Sequence, residues 1–331
     1  MKNELTMKIL ILRFSSIGDI VLTTPVIRCL KKQLPNAEIH YATKDAFKGI
    51  VENNSYVDKV HSLSASTSDL IKELKSEKFD LIIDLHKNIR TRKIKWSLGV
   101  KSYSFDKLNI RKWLFVNWKF KVMPEKHIVE RYIETTYALG IQNDNEGLDY
   151  FIPDKDIVNL NTLPEAFEKI GYVAIAIGAQ HATKRLPEAK LKELISKISL
   201  PVLLLGGKED ALMGDTLLRH FPDSKNILNA CGKYNLNQSA SLVEQSQYLY
   251  THDTGLMHIG AALKKRIVSI WGNTVPEFGM YPYKTEFVMW QVENLTCRPC
   301  SKIGFNTCPK KHFKCMNEQL LPVQDVENGW K

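Results

Sequence analysis

Short apolar runs, each followed by a polar loop and then by a stretch of helical spacing, recur through both halves of the chain. That alternation constrains the fold more than any other feature. Residues 8–12 (KILIL) form the first run, and RFSSIGD is the loop behind it. Residues 20–34 then carry apolar side chains at helical intervals and stop at Pro35. Residues 37–41 and 57–63 read as the second and third strands. Residues 79–85 (FDLIIDL) read as a buried fourth strand, preceded by an amphipathic helix over 68–76. Alternation on this scale predicts a parallel sheet covered on both faces.

The pattern lapses between residues 142 and 163, which are rich in Asn, Asp and Pro, and then resumes. Residues 172–177 (YVAIAI), 201–205 (PVLLL), 248–250 and 266–271 each lead into a loop carrying Gly or Asp. The expected fold is therefore α/β, with two Rossmann-like, doubly wound parallel-sheet domains facing a cleft. The first domain is placed over 1–150, a linker over 151–165 and the second domain over 166–315. A tail follows over 316–331, and packing back on the first domain is one option for it. A length of 331 residues suits two such domains. No apolar run is long enough to cross a membrane. The first residues lack a signal-peptide pattern, so a cytoplasmic location is expected.

The formal net charge is +10, and it is unevenly distributed. Residues 84–131 hold 13 Lys or Arg against four Asp or Glu, interleaved with Trp96, Tyr103, Phe105, Trp113, Phe115, Trp118 and Phe120. Single-stranded nucleic acid, an anionic membrane surface and an anionic substrate all fit such a mixture. No nucleic-acid motif accompanies it, so nucleic acid is not expected as a partner. A solvated basic face is the plainer reading of each cation taken singly.

Two strand-end loops could carry chemistry. In RFSSIGD, Ser15, Ser16 and Gly18 allow a close approach to backbone, and Asp19 falls in the first helical turn, placed to act as a base. Capping the helix is the competing role of Asp19. In HDTGLMHIGAAL, residues 252–263, Asp253 and Thr254 can cap a helix and Gly255 leaves room beside the backbone. Amides at that helix start would suit a diphosphate without a metal. His258 is as readily a buried core histidine. Neither loop is a GxGxxG or a P-loop string.

The opening MKILILRFSSIGDIVLTTPVIRCLKKQLPNAEIHYAT, the string GAQHATKRLPEAKLKEL, the turn LLLGGKED and the run DTGLMHIGAAL with WGNTVPEFGMYPY together resemble the heptosyltransferase family, glycosyltransferase family 9. The resemblance spans nearly the whole chain. It implies the GT-B fold and an inverting, metal-independent transfer of a sugar, typically heptose from ADP-heptose, onto a lipopolysaccharide inner-core or lipid A-type acceptor. No cofactor beyond the nucleotide-sugar donor is implied. Asp19 matches the family's catalytic base, and Lys184 the cation at the leaving diphosphate. Ser15, Ser16 and Gly18 match the loop lying against the donor. Glu209 matches an acid that binds ribose, and Asp253 a carboxylate that holds sugar hydroxyls. Thr254, Gly255, Leu256 and His258 belong to the donor-side helix start. His86, Lys87, Arg90 and Arg92 sit where family members meet the acceptor, here an anionic glycolipid, and peripheral contact with the cytoplasmic face of the inner membrane goes with it. The chain departs from the family at GNTVPE, where GPTDP is frequent, and at Arg185 and Leu186, where an aromatic residue is common.

Cys297, Cys300, Cys308 and Cys315 have spacing compatible with a structural zinc site, with a purely local structural role an equal reading. Asp154 and Asp156 have the Asp-x-Asp form of metal-dependent sugar transferases, but they fall in the linker and are expected to face solvent. Two other functions fit part of the pattern: a GT-B enzyme using another nucleotide sugar (a transferase or an epimerase), and a non-catalytic binder of anionic ligands.

Overall fold

The computed structural model describes residues 7–222 and 224–330. The chain divides into two compact units, one comprising the chain up to Lys107 with Lys126–Phe151, the other Leu108–Glu125 with the chain from Ile152 onward.

The first unit contains β1 (Lys8–Leu12), α1 (Ile17–Val21), α2 (Thr24–Gln33), β2 (Glu38–Lys44), β3 (Lys59–Leu63), α3 (Thr67–Glu77), β4 (Leu81–Asp84), α4 (Ile89–Leu98) and β5 (Lys101–Ser104). Next in the chain, α5 (Asn109–Trp118) belongs to the second unit, and α6 (Ile128–Ile133) returns to the first. The sheet order is β3-β2-β1-β4-β5, parallel throughout. The order reverses between β1 and β4, so the loops after these two strands open onto one crevice, where such sheets bind ligands.

The helix expected over residues 20–34 is two helices. Pro25 cannot donate to a preceding turn, and the hydroxyls of Thr23 and Thr24 take the carbonyls of Ile20 (2.6 Å) and Val21 (2.8 Å). α2 is then fastened by Arg28, which is 2% exposed. Its guanidinium forks onto both oxygens of Asp144 (2.8 Å each), pairs with Asp149 and donates to the Gly147 carbonyl (2.8 Å). This fork holds the Asp144 carboxyl down at about 2. Removing one member of a buried ion-paired group typically costs about 3–5 kcal/mol, because the others stay buried without a partner. Arg28→Ala is therefore expected to destabilise the first unit by about that amount. Chemical denaturation measures it, and an unchanged midpoint would show the fork to be dispensable.

The second unit continues with α7 (Glu165–Lys169), β6 (Val173–Ala176), α8 (Glu188–Lys197), β7 (Val202–Leu205), α9 (Ala211–Arg219), β8 (Ile227–Asn229), α10 (Leu236–Gln245), β9 (Tyr248–His252), α11 (Gly255–Ala262), β10 (Arg266–Trp271), β11 (Phe287–Gln291), α12 (Lys314–Asn317) and α13 (Val323–Gly329). Its six strands run parallel in the order β11-β10-β9-β6-β7-β8, with the reversal between β6 and β9. The fold is thus the expected pair of doubly wound parallel sheets.

Residues 316–330, one option for which is a return to the first domain, build into the second unit's own core. Met316, Leu321, Val323 and Val326 join the cluster formed by β6, β7 and α8. Glu327 binds the Ser199 hydroxyl (2.8 Å) and the Tyr248 hydroxyl (3.0 Å). Asp156, expected to face solvent, is 7% exposed and accepts hydrogen bonds from Asn235 (2.9 Å) and Asn237 (3.0 Å). It ties the linker to α10 rather than waiting for a metal.

Candidate active site

The loop after β1 is organised by Arg13. Its guanidinium donates to the carbonyls of Leu85 (2.6 Å) and Ser15 (2.7 Å) and to the Tyr132 hydroxyl (3.0 Å), and pairs with Asp19 at 2.6 Å. Asp19 also accepts from the Ser16 hydroxyl (3.1 Å) and, weakly, from the Ser16 amide (3.4 Å). The carboxylate therefore closes the start of α1 and meets a buried cation at once. The Asp19 charge raises the affinity of the Arg13 guanidinium for its proton against a large opposing effect of burial.

Across the reversal lies the loop after β4. Asp84, fully buried, does not face a ligand: it accepts from the amides of His86 (3.1 Å) and Lys87 (2.7 Å) and pairs with Lys95 (2.9 Å). The loop it shapes carries His86, Lys87 and Arg90. His86 packs edge-on against Phe14 at 6.0 Å, and Arg90 lies over the same ring at 5.3 Å, so both stand beside the Asp19 loop. Burial lowers the His86 imidazole to about 4, helped by the charges of Arg13 and Lys107, which keeps it neutral. The His86 Nδ1 atom is buried with no protein partner. Arg92, two residues beyond Arg90 and so about half a turn round α4, is exposed and outside this group.

In the second unit the reversal between β6 and β9 brings Lys184 to Asp253. The ammonium donates to the Asp253 carboxylate at 2.6 Å and to its carbonyl at 3.2 Å, and Thr274, beyond β10, donates to the same carboxylate at 2.9 Å. Three strand-end loops thus converge on one carboxylate. Thr254 is the N-cap of α11, yet neither it nor Asp253 caps the helix through its side chain; Thr254 instead faces the Thr251 hydroxyl at 3.3 Å. The first amides of α11 begin beside the Lys184–Asp253 pair, with Gly255 and Leu256 partly exposed there. His258 is 2% exposed, a core residue of α11. His252, buried at the end of β9, accepts from the Leu186 amide at 2.9 Å, and burial holds it down at about 4, hence neutral.

The GGKED turn after β7 divides its acids between two tasks. Asp210, 4% exposed, accepts from the Gly207 amide (2.9 Å) and pairs with Arg185 (3.1 Å). A side chain at Gly178 would meet that carboxylate at 2.0 Å, so glycine makes the packing of the two loops possible. Glu209 is left exposed on the turn.

The four cysteines, for which a structural zinc site and a local structural role are equal readings, do not form a tight thiol cluster among the described residues. Among the described residues, the group that draws three ligand atoms within 4.8 Å of one another is His40, His61 and Glu77, not the thiols. Cys315 faces the apolar core and burial pushes it up to about 12, while burial and the neighbouring Cys297 push Cys300 up to about 11. The histidine group is already internally bonded: His40 Nδ1 to His61 Nε2 at 2.8 Å, with Glu38 and Glu73 on the outer nitrogens. Lys8 and Lys59 pair with Glu77.

Sequence reasoning picked out Asp19, Lys184 and Asp253 but missed their partners Arg13 and Thr274, and also Tyr132, which accepts from Arg13, and the nearby charge of Lys107. Arg13 had a signal, a charged residue set directly after a buried strand. Lys107, depressed by burial and by Arg13, had none.

Two doubly wound sheets, each with charged side chains gathered at its strand reversal, place the chain among the two-domain glycosyltransferases. The family model of glycosyltransferase family 9 (heptosyltransferase) matches residues 67–311, and the chain belongs to that family. Lipopolysaccharide heptosyltransferase 1 of Campylobacter coli is 22% identical over 289 residues, 81% of this chain and 84% of that protein. The family 9 glycosyltransferase of Veillonella parvula superposes with a TM-score of 0.71 at 23% identity, covering 86% of this chain and 87% of that one. The E. coli heptosyltransferase WaaC, solved with ADP, gives 0.68 at 19%, covering 98% and 100%.

Proposed function

We propose that this glycosyltransferase moves a heptose from ADP-heptose to an anionic glycolipid acceptor of the lipopolysaccharide inner-core or lipid A type, with inversion and without a catalytic metal. The observation that carries the reading is the Lys184–Asp253–Thr274 group at the reversal of the second sheet, next to the amides that open α11. Relatives named for heptose transfer to lipopolysaccharide support the substrates, as does the E. coli enzyme solved with ADP-2-deoxy-2-fluoro heptose.

In this mechanism Asp19 takes the proton of the acceptor hydroxyl as its oxygen bonds to the anomeric carbon. The bond from that carbon to the diphosphate breaks, and ADP leaves with its electrons. Lys184 and the α11 amides of Gly255 and Leu256 meet the charge growing on the diphosphate, the task a divalent metal performs in other transferases. Asp253 and Thr254 hold sugar hydroxyls, exposed Glu209 takes the ribose, and Ser15, Ser16 and Gly18 line the donor. Lys87, Arg90 and neutral His86 receive the acceptor's anionic groups. Such an acceptor puts the enzyme in peripheral contact with the cytoplasmic face of the inner membrane.

Calorimetric titration with ADP-heptose, ADP, UDP and GDP, with EDTA present throughout, tests this. Micromolar affinity for the ADP compounds alone is the expected result. Tight binding of UDP or GDP instead would replace the donor, and binding that EDTA abolishes would overturn the metal-free mechanism.

A further inference from the structure

The segment Leu108–Glu125 interrupts the first unit in sequence and belongs to the second. One side of it is anchored there. Phe115, 4% exposed, packs edge-on against Phe278 at 5.8 Å with Val275 alongside, and the Lys112 ammonium sits 5.8 Å from the Phe278 ring. Lys119 closes the C-terminal end of α5, donating to the carbonyls of Val116 (2.7 Å), Pro299 (2.7 Å) and Cys297 (3.3 Å). The segment is thus held in place, and its other side is not a consequence of loose attachment.

That other side is apolar and exposed. Trp113 is 51% exposed, Trp118 60% and Phe120 52%, and their rings touch in series, Trp113 to Trp118 at 6.0 Å and Trp118 to Phe120 at 5.7 Å. Ile110 and Val122 extend the patch. Exposed Arg111 and Lys121 flank it, and the segment holds four Lys or Arg against one Glu. A contiguous aromatic patch held out to water needs an occupant. The cations around it disfavour a second copy of the same face. Indole and phenyl rings at headgroup depth, with Lys and Arg beside them, suit the interface of an anionic bilayer.

We infer that Trp113, Trp118 and Phe120, with Arg111 and Lys121, form the surface by which this enzyme docks on an anionic lipid bilayer. The inference rests on the reading of the acceptor as a membrane glycolipid and names the surface that meets the membrane. None of these five side chains belongs to the donor or acceptor groups described above.

The test is co-sedimentation with phosphatidylcholine vesicles, with and without phosphatidylglycerol, in parallel with ADP titration. The parent should partition onto the anionic vesicles and be released by salt. The variant Trp113→Ser/Trp118→Ser/Phe120→Ser should bind at least about tenfold more weakly, and Arg111→Glu/Lys121→Glu should lose the preference for anionic lipid, both with unchanged ADP affinity. Parental binding by the triple variant, or equal binding of the parent to neutral vesicles, overturns the docking surface. Lack of vesicle binding beside normal ADP binding removes the surface and spares the transferase reading. Vesicle binding without nucleotide binding does the reverse.

Discussion

Asp19→Asn is expected to lower turnover by roughly a thousandfold, within the range that positioned general bases contribute, while ADP affinity stays at the parental value. The substitution keeps the size of the side chain and its reach to Ser16 but cannot accept the acceptor's proton. Its side effect is calculable from the site. Arg13 loses its carboxylate, but the carbonyls of Leu85 and Ser15 and the Tyr132 hydroxyl still hold the guanidinium. Some stability should therefore be lost without unfolding, and a thermal melt alongside the kinetics separates the two effects. Asp19→Glu should recover part of the turnover, because it restores the base at a displaced position. If Asp19→Asn keeps a tenth or more of parental kcat, the carboxylate is only a helix cap and a partner for Arg13. Loss of ADP binding in a folded Asn variant would also remove the assignment, since the donor contacts are placed on Lys184 and α11.

Sequence reasoning found every strand with neighbours on both sides, together with one edge strand, β3. β1, β4, β6, β7 and β9 are buried runs, and a buried run reads as an unbroken apolar string. The strands it missed, β5, β8 and β11, all lie at sheet edges with half-exposed side chains, so KSYS and ILN carry no such signal. The same locality explains the site. Asp19, Lys184 and Asp253 follow strands within a few residues, and strand ends are where open parallel sheets place their ligands. Thr274 reaches Asp253 from another strand, and Leu108–Glu125 lies among first-unit residues in sequence while packing in the second. Spacing along the chain says nothing of either contact. The zinc reading meets the same limit: four cysteines within a short stretch set an upper limit on loop length, not the direction of each side chain, and Cys315 packs in the core.

Lys184→Met is expected to lower kcat by roughly a hundredfold or more, the scale on which removal of one charge-stabilising donor acts, and to weaken ADP binding as well. A purely structural role is the rival account. Lys184 is largely buried, its ammonium touches Asp253 at 2.6 Å, and losing it could harm the site only by freeing that carboxylate. The two accounts part in a double-mutant comparison. If Lys184 merely restrains Asp253, then once Asp253 is replaced by Asn the lysine has no charge to hold, and Lys184→Met should cost nothing further. If the ammonium meets the diphosphate, Lys184→Met should still lower both ADP affinity and turnover in the Asp253→Asn background. Asp253→Asn alone should impair transfer more than ADP binding, because ADP lacks the sugar hydroxyls that Asp253 is assigned to hold. Thr274 gives the comparison a fixed reference: its hydroxyl bonds the same carboxylate oxygen and can hold an Asn side chain there without any lysine. The geometry of residue 253 is then retained while the charge is varied, and what remains of the Lys184 effect is the charge delivered to the leaving group.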